Sequence, residues 1–205
     1  MKRRDFLKGA AIVPAAVAAA RWPAMAEMIG ARRSRIAAVV YDERYADCRM
    51  FAETLARQGA IALPTSGDAA HLWYGALREQ LALRDGNVAG MTTDADLLVS
   101  RGCGREMNMR MVYEGSHDCR TSDHLKHRLR GSGIEREVYA ALLRADAPWA
   151  EAIATALQRP PAAEQIVQAL AGLPIVTTPQ SADHPGYLSS WLQAPAIGPN
   201  WPTQS

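Results

Sequence analysis

The sequence predicts an α/β domain, doubly wound around a compact, mostly parallel sheet of about four strands with flanking helices. Three observations carry that expectation. Short apolar runs alternate with stretches of helical period, each apolar run ends in polar side chains, and 205 residues at 48% apolar and 21% charged suffice for one packed core. The same composition excludes a disordered chain, a collagen-like or coiled-coil rod and a small disulfide scaffold, each of which needs a bias absent here.

Ile36 to Tyr41 is an apolar run that ends in Asp42-Glu43-Arg44 and reads as a buried strand. From Ala46 to Gln58, residues Cys48, Phe51, Ala52, Leu55 and Ala56 recur at helical spacing, and Gly59 supplies a left-handed stop. A second strand at Ala60 to Leu63 closes on Pro64-Thr65-Ser66-Gly67-Asp68, and Leu72, Trp73, Ala76, Leu77 and Leu81 then form the stripe of a second helix. Val88 to Met91 is the third strand. Thr93-Asp94-Ala95-Asp96 offers a capping-box start to a helix through Ser100 that stops at Gly102 to Gly104, and Asn108 to Tyr113 is the fourth strand. That rhythm predicts right-handed crossovers and a parallel sheet over residues 36 to about 115.

The remainder is less regular. Gly115 to Gly133 is polar and positively weighted, with His117, Asp118, Cys119, His124, Lys126, His127, Arg128 and Arg130, and reads as a long loop at the active edge or a short irregular helix. Glu135 to Gln158 reads as a helix broken near Pro148, and Ala162 to Leu170 as another. Eight of the 12 prolines lie at or after Pro160, and no Asp, Glu, Lys or Arg follows Asp183. Residues 184 to 205, with Tyr187, Trp191 and Trp201, are therefore expected to lie extended along an apolar groove of their own domain or of a partner. Residues 27 to 183 form the single domain in this division.

Open parallel sheets bind ligands beyond the carboxyl ends of their strands, which selects the residues following each run. Asp42, Thr65, Asp68, Thr92, Thr93, Glu114 and His117 are the ligand-binding candidates, although Asp68 and Thr93 equally suit helix N-caps. His117 as general base, oriented by Asp42 or Glu114, is the catalytic alternative. The first turn has no Gly-x-Gly-x-x-Gly loop, and neither a Gly-x-Ser-x-Gly elbow nor a His-Glu-x-x-His helix occurs.

Cys119, His124 and His127 are metal-ligand candidates beside His117, although their spacing fits no standard site, and the same segment also reads as a basic loop contacting anions. Met107, Met109 and Met111 alternate on one strand face, as soft ligands or as core. Cys103 and Cys119 flank a strand about 20 Å long and are too far apart to bridge. Cys48 and Cys119 share one sheet edge and are the pair that a disulfide would join, against a Cys48 buried on its own helix stripe.

At the start of the chain Lys2-Arg3-Arg4-Asp5-Phe6-Leu7-Lys8 precedes a weakly apolar run from Gly9 to Ala20, interrupted by Pro14, and then Arg21-Trp22-Pro23-Ala24-Met25-Ala26. Arg3, Arg4, Phe6, Leu7 and Lys8, with the alanine-rich core and Arg21, resemble a twin-arginine (Tat) export signal over residues 1 to 26. Cleavage after Ala26 starts the mature chain at Glu27. The resemblance implies a periplasmic protein, handled folded by the Tat translocase, often with a cofactor or beside an exported redox subunit; it leaves the cofactor itself unknown.

Residues 1 to 26 hold five of the 23 basic residues and one of the 21 acidic ones, leaving 18 against 20 in the mature chain. The basic balance thus belongs to the signal, which argues against nucleic acid as a partner. No stable membrane span is expected after cleavage. The functions weighed are binding of a small polar ligand or service to an exported redox enzyme, hydrolysis or transfer through His117, and docking of a structural subunit through the 184 to 205 segment.

Overall fold

A computed structural model describes residues 35–84, 86–120, 124–131, 133–144, 147–159, 173–179 and 186–196. β1 (Ile36–Asp42), α1 (Ala46–Ala56), β2 (Ile61–Thr65) and β3 (Asn87–Thr92) follow the apolar periodicity. Gly59, at φ 96°, turns the chain after α1. The stripe from Leu72 to Leu81 forms α2 (Ala69–Leu72), a wide π-type turn over Trp73–Leu77 and α3 (Arg78–Leu83). α4 (Asp94–Glu106) starts on the Thr93 cap but runs through Gly102 and Gly104, past the predicted stop, because Cys103 and Gly104 are buried and the turn gains packing there.

The sheet corrects the prediction. Among the described residues it has seven strands in the order β2-β1-β3-β7-β4-β5-β6, where β4 is Met109–Asp118, β5 His124–Gly131, β6 Val176–Pro179 and β7 Tyr187–Pro195. β1 pairs in parallel with β2 and β3, and every other pairing is antiparallel. A sheet of about four, mostly parallel strands is therefore replaced by a mixed one. Two segments make the difference. The polar stretch after Gly115 extends β4 and adds β5, whose Leu125, His127 and Leu129 point inward while His124, Lys126, Arg128 and Arg130 are exposed. The charge-free segment supplies β7, hydrogen-bonded on both edges between β3 and β4.

Gly90 explains how β7 fits there. It lies opposite Trp191, and a Cβ at Gly90 would fall 2.1 Å from the indole ring, so only glycine leaves room for it. Trp191 also stacks 6.4 Å from Trp73.

α5 (Ile134–Arg144) and α6 (Trp149–Ala156) follow β5, with the break at Pro148 as predicted. One core unites α1, α5 and α6 with Val39, Met91, Tyr113, Leu125 and Leu188 of the sheet. The other joins Trp73, Leu77 and Leu97 to Ala38, Val40, Val88 and Trp191 on the opposite face. Met109 belongs to this second core and Met107 and Met111 pack against it, but Met107 lies before β4, at the end of α4, so only Met109 and Met111 alternate on the strand. Residues 1 to 26, the helix expected at Ala162 to Leu170 and Trp201 lie outside the described residues.

Candidate functional site

Five of the seven ligand-binding candidates gather where β1, β2 and β3 end, and local structure already engages them. Asp42 is fully buried and takes Arg44 through Nε at 2.9 Å and Nη2 at 2.6 Å. Thr65 Oγ1 accepts the Gly67 N–H at 3.2 Å, and Thr92 Oγ1 accepts Trp191 Nε1–H at 3.2 Å. Asp68 and Thr93 cap α2 and α4 through the His71 and Asp96 amides. Asp96 Oδ2 is the exception at this edge, buried with no hydrogen-bond partner among the described residues, and burial pushes that carboxyl above its ordinary range.

Glu114 and His117 lie apart from that group. Glu114 faces away from His117 on β4 and forms an ion pair with Arg101. Both His117 nitrogens are bonded elsewhere, so the structure does not join His117 to Asp42 or Glu114.

His117 is the middle of a buried chain across four strands. Tyr113 Oη meets Ser190 Oγ at 3.0 Å, Ser190 Oγ meets His117 Nε2 at 2.8 Å, His117 Nδ1 meets His127 Nδ1 at 2.8 Å, and His127 Nε2 meets Thr178 Oγ1 at 2.8 Å. The local reasons are visible in the strands. Tyr113, Gly115 and His117 share one face of β4, Gly115 lies opposite Ser190, and His117 lies opposite His127. A Cβ at Gly115 would sit 2.5 Å from Tyr113 Oη and 2.7 Å from Ser190 Oγ, so the glycine makes their convergence sterically allowed. Trp149 of α6 covers both imidazoles, with ring centroids 4.7 Å from His117 and 5.3 Å from His127.

Burial holds both histidines neutral. Desolvation, reinforced by His127, lowers His117 well below its ordinary value, and desolvation lowers His127 to about 4. Two neutral imidazoles meeting through Nδ1 must have one donor and one acceptor, which gives the whole chain a direction. Among the described residues Tyr113 Oη has Ser190 as its one partner, so reversing the chain would strand a buried phenol O–H. In the direction that keeps the fully buried Tyr113 satisfied and leaves the spare hydrogen at the less deeply buried end, Tyr113 donates to Ser190, Ser190 to His117, His117 to His127, and His127 Nε2–H to Thr178. The hydrogen left over belongs to the Thr178 hydroxyl.

Thr178 lines a cavity of about 380 Å³ between α1, α5, α6 and β6. Met50, Leu142, Pro148, Trp149 and Pro179 give it apolar walls, and Asp47 adds one carboxylate. Trp149 Nε1 is buried without a hydrogen-bond partner among the described residues. The cavity thus pairs an apolar lining with the Thr178 hydroxyl at one wall.

Residues 1–20 match the family model for the TAT (twin-arginine translocation) pathway signal sequence. The chain carries a Tat export signal, and the match spans Arg3, Arg4, Phe6, Leu7 and Lys8. No curated protein and no solved structure matches the chain. No helix among the described residues is long and apolar enough to cross a membrane.

The exported domain holds its other candidate ligands apart. Among the described residues no group of three His, Cys, Asp or Glu is placed to hold a metal: His127 is committed to the buried chain, His124 is exposed at the start of β5, and Cys119 Sγ donates to the His117 carbonyl at 3.5 Å. All three cysteines are buried thiols. Cys48 and Cys119 share the core beneath α1, whereas Cys103 lies in the core on the other face. Burial pushes the Cys119 thiol up to about 12 and Cys48 higher still.

Reading the sequence by strand ends misses Tyr113, Gly115, Ser190, Thr178 and Trp149. A signal for part of this site was present: Leu125-x-His127-x-Leu129 has strand period with histidine at an apolar position.

Proposed function

We propose that the mature protein is a periplasmic binding protein for a small, largely apolar molecule bearing a hydrogen-bond acceptor, such as a ketone, ester or ether oxygen. The observation that carries this reading is the Thr178 hydroxyl, which ends a directional buried chain at the wall of an apolar cavity. A ligand oxygen accepts the Thr178 O–H without disturbing any bond behind it. A ligand donor in the same place reaches only the second lone pair of Thr178 Oγ1 and leaves the Thr178 O–H without an acceptor. The periplasm is the destination that Tat export implies. The more polar ligand expected at Asp42, Thr65 and Thr92 finds those groups already bonded within the fold.

One observation favours a catalytic second reading. Thr178 Oγ1 lies 2.8 Å from His127 Nε2, with His117 behind it, in the spacing of a nucleophile, base and orienting group. A base at His127 needs the Nε2 lone pair, however, and the direction that keeps Tyr113 satisfied places a hydrogen there. Binding is accordingly the primary reading, with acyl transfer to Thr178 the alternative. Docking through residues 184 to 205 loses the contribution of Trp191, since that residue is buried in its own sheet.

The test is calorimetry of the mature protein with acetophenone and its carbonyl-free counterpart ethylbenzene. One net hydrogen bond is worth about 1 kcal/mol, so the ketone is expected to bind about fivefold more tightly. The preference vanishes in Thr178→Val. Equal binding of the two probes, or a preference untouched by Thr178→Val, refutes the reading. Hydrolysis of phenyl acetate that is lost in Thr178→Val would move the assignment to catalysis.

A further inference from the structure

The opposite face of the sheet carries a second, chemically different cleft. A cavity of about 620 Å³ opens where α4, β4, β5 and β7 meet, and Arg101, Arg105, Arg110 and Arg130 line it with one acidic residue, Glu114. Three separate elements therefore deliver guanidinium groups to one concave site. The concentration is not a by-product of overall charge, because the mature chain has more acidic than basic residues. Nor does it help the local helix: Arg101 and Arg105 are one turn apart on α4, where like charges repel. The floor is supplied by Met109, Met111 and Gln193, and Gln193 is fixed in place by donating to the Ser100 carbonyl at 2.9 Å.

Glu114 shows what the cleft takes. Its carboxylate pairs with Arg101 and lies directly opposite Arg130 in the β4–β5 register, so an anion from the chain itself already occupies part of the site. Among the residues that line the cleft, four carry guanidinium groups and one a carboxylate, so its lining is predominantly cationic. Planar guanidinium forks match phosphate and carboxylate oxygens in pairs, which favours a ligand with several such groups over a single halide-like ion. We propose that this cleft binds a small polyanion, a molecule carrying at least two phosphate or carboxylate groups, and that Glu114 holds Arg101 until the ligand displaces it. The size of the cleft limits the ligand to a small molecule. The site shares no lining residue with the apolar cavity and stands whether or not that cavity binds a ketone.

The experiment is isothermal titration of the mature protein with tripolyphosphate and with citrate at 50 mM and 300 mM salt. At least one of them is expected to bind one-to-one, with affinity falling severalfold at the higher salt. Tighter tripolyphosphate assigns phosphate as the natural group, and tighter citrate assigns carboxylate. Arg110→Gln with Arg130→Gln should weaken binding at least tenfold. Glu114→Gln removes the competing carboxylate and should strengthen it severalfold, a gain that misfolding cannot imitate. No binding of either probe at millimolar concentration, binding unchanged by Glu114→Gln, or binding only of long polyphosphate chains would overturn the proposal.

Discussion

Acid should destabilise this domain through its buried histidines. The folded state keeps His127 neutral down to about pH 4, whereas in the unfolded chain it protonates near its ordinary value of 6.5. Between those values the unfolded state holds the extra proton, so stability falls as pH falls, by about 1.4 kcal/mol per pH unit and roughly 3 kcal/mol across the window. His117 is shifted in the same direction, so the pair acts together. Against a typical total of about 5–15 kcal/mol the loss is large. Asp96 opposes it, because a carboxyl whose range is raised by burial takes up its proton earlier in the folded state. The assay is urea denaturation at pH 7.5, 6.5, 5.5 and 4.5, for the native protein and for a His117→Gln/His127→Gln variant. The native protein should lose stability steeply below pH 6.5, and the variant should be much flatter. Nitrogen NMR of the imidazole rings supplies a readout independent of the variant's folding. Equal slopes in the two proteins, or charged imidazolium signals from His117 and His127 at pH 5.5, would refute the assignment.

Two further outcomes follow from the same geometry. Gly115→Ala places a methyl group between Tyr113 Oη and Ser190 Oγ, at 2.5 and 2.7 Å. Opening that junction leaves buried hydroxyls unsatisfied at about 1–3 kcal/mol each, which a lowered melting temperature would register and an unchanged one would contradict. The raised thiol values of Cys48 and Cys119 predict slow alkylation of the native protein near neutral pH. Unfolding should expose three reactive thiols, and recovery of Cys103 alone would instead reveal a Cys48–Cys119 bridge in the exported form.

The legible part of the fold is the part stabilised locally. β1, β2 and β3 are short apolar runs followed by amphipathic helices or clear caps, and sequence neighbours decide their form. β5 was hidden because its inward row alternates leucine with histidine, and histidine counts as polar until a cross-strand partner is known. β7 was hidden for the opposite reason. Its absence of charge indicated burial, but the place of Trp191 over Gly90 is a long-range fact that no local pattern contains. The same division runs through the site. Asp68 and Thr93 act as the caps their sequence positions suggest, whereas the Ser190–His117–His127–Thr178 chain exists only after four strands are in register.

That long-range closure bears on how the protein reaches its destination. β7 joins the parallel strands to the antiparallel ones, and its partners Thr92 and Tyr113 lie 99 and 77 residues before Trp191 and Ser190. Until residues 187 to 195 have been made, β3 and β4 have no neighbour between them, and neither core is closed. Such a sheet completes late, with long loops to close before contacts reward them. Export by a route that carries folded chains suits that topology, since it requires no unfolding of a sheet assembled in this order. Deleting residues 184 to 205 tests the dependence. Leu188, Trp191 and Leu192 are almost wholly buried, and losing them removes about 1.5–3 kcal/mol per aliphatic or aromatic side chain in addition to two ladders of backbone hydrogen bonds. The truncated chain should therefore lose cooperative unfolding and remain unexported with its signal uncleaved. A truncated protein that melts cooperatively and is still exported would show that the sheet holds without its central strand.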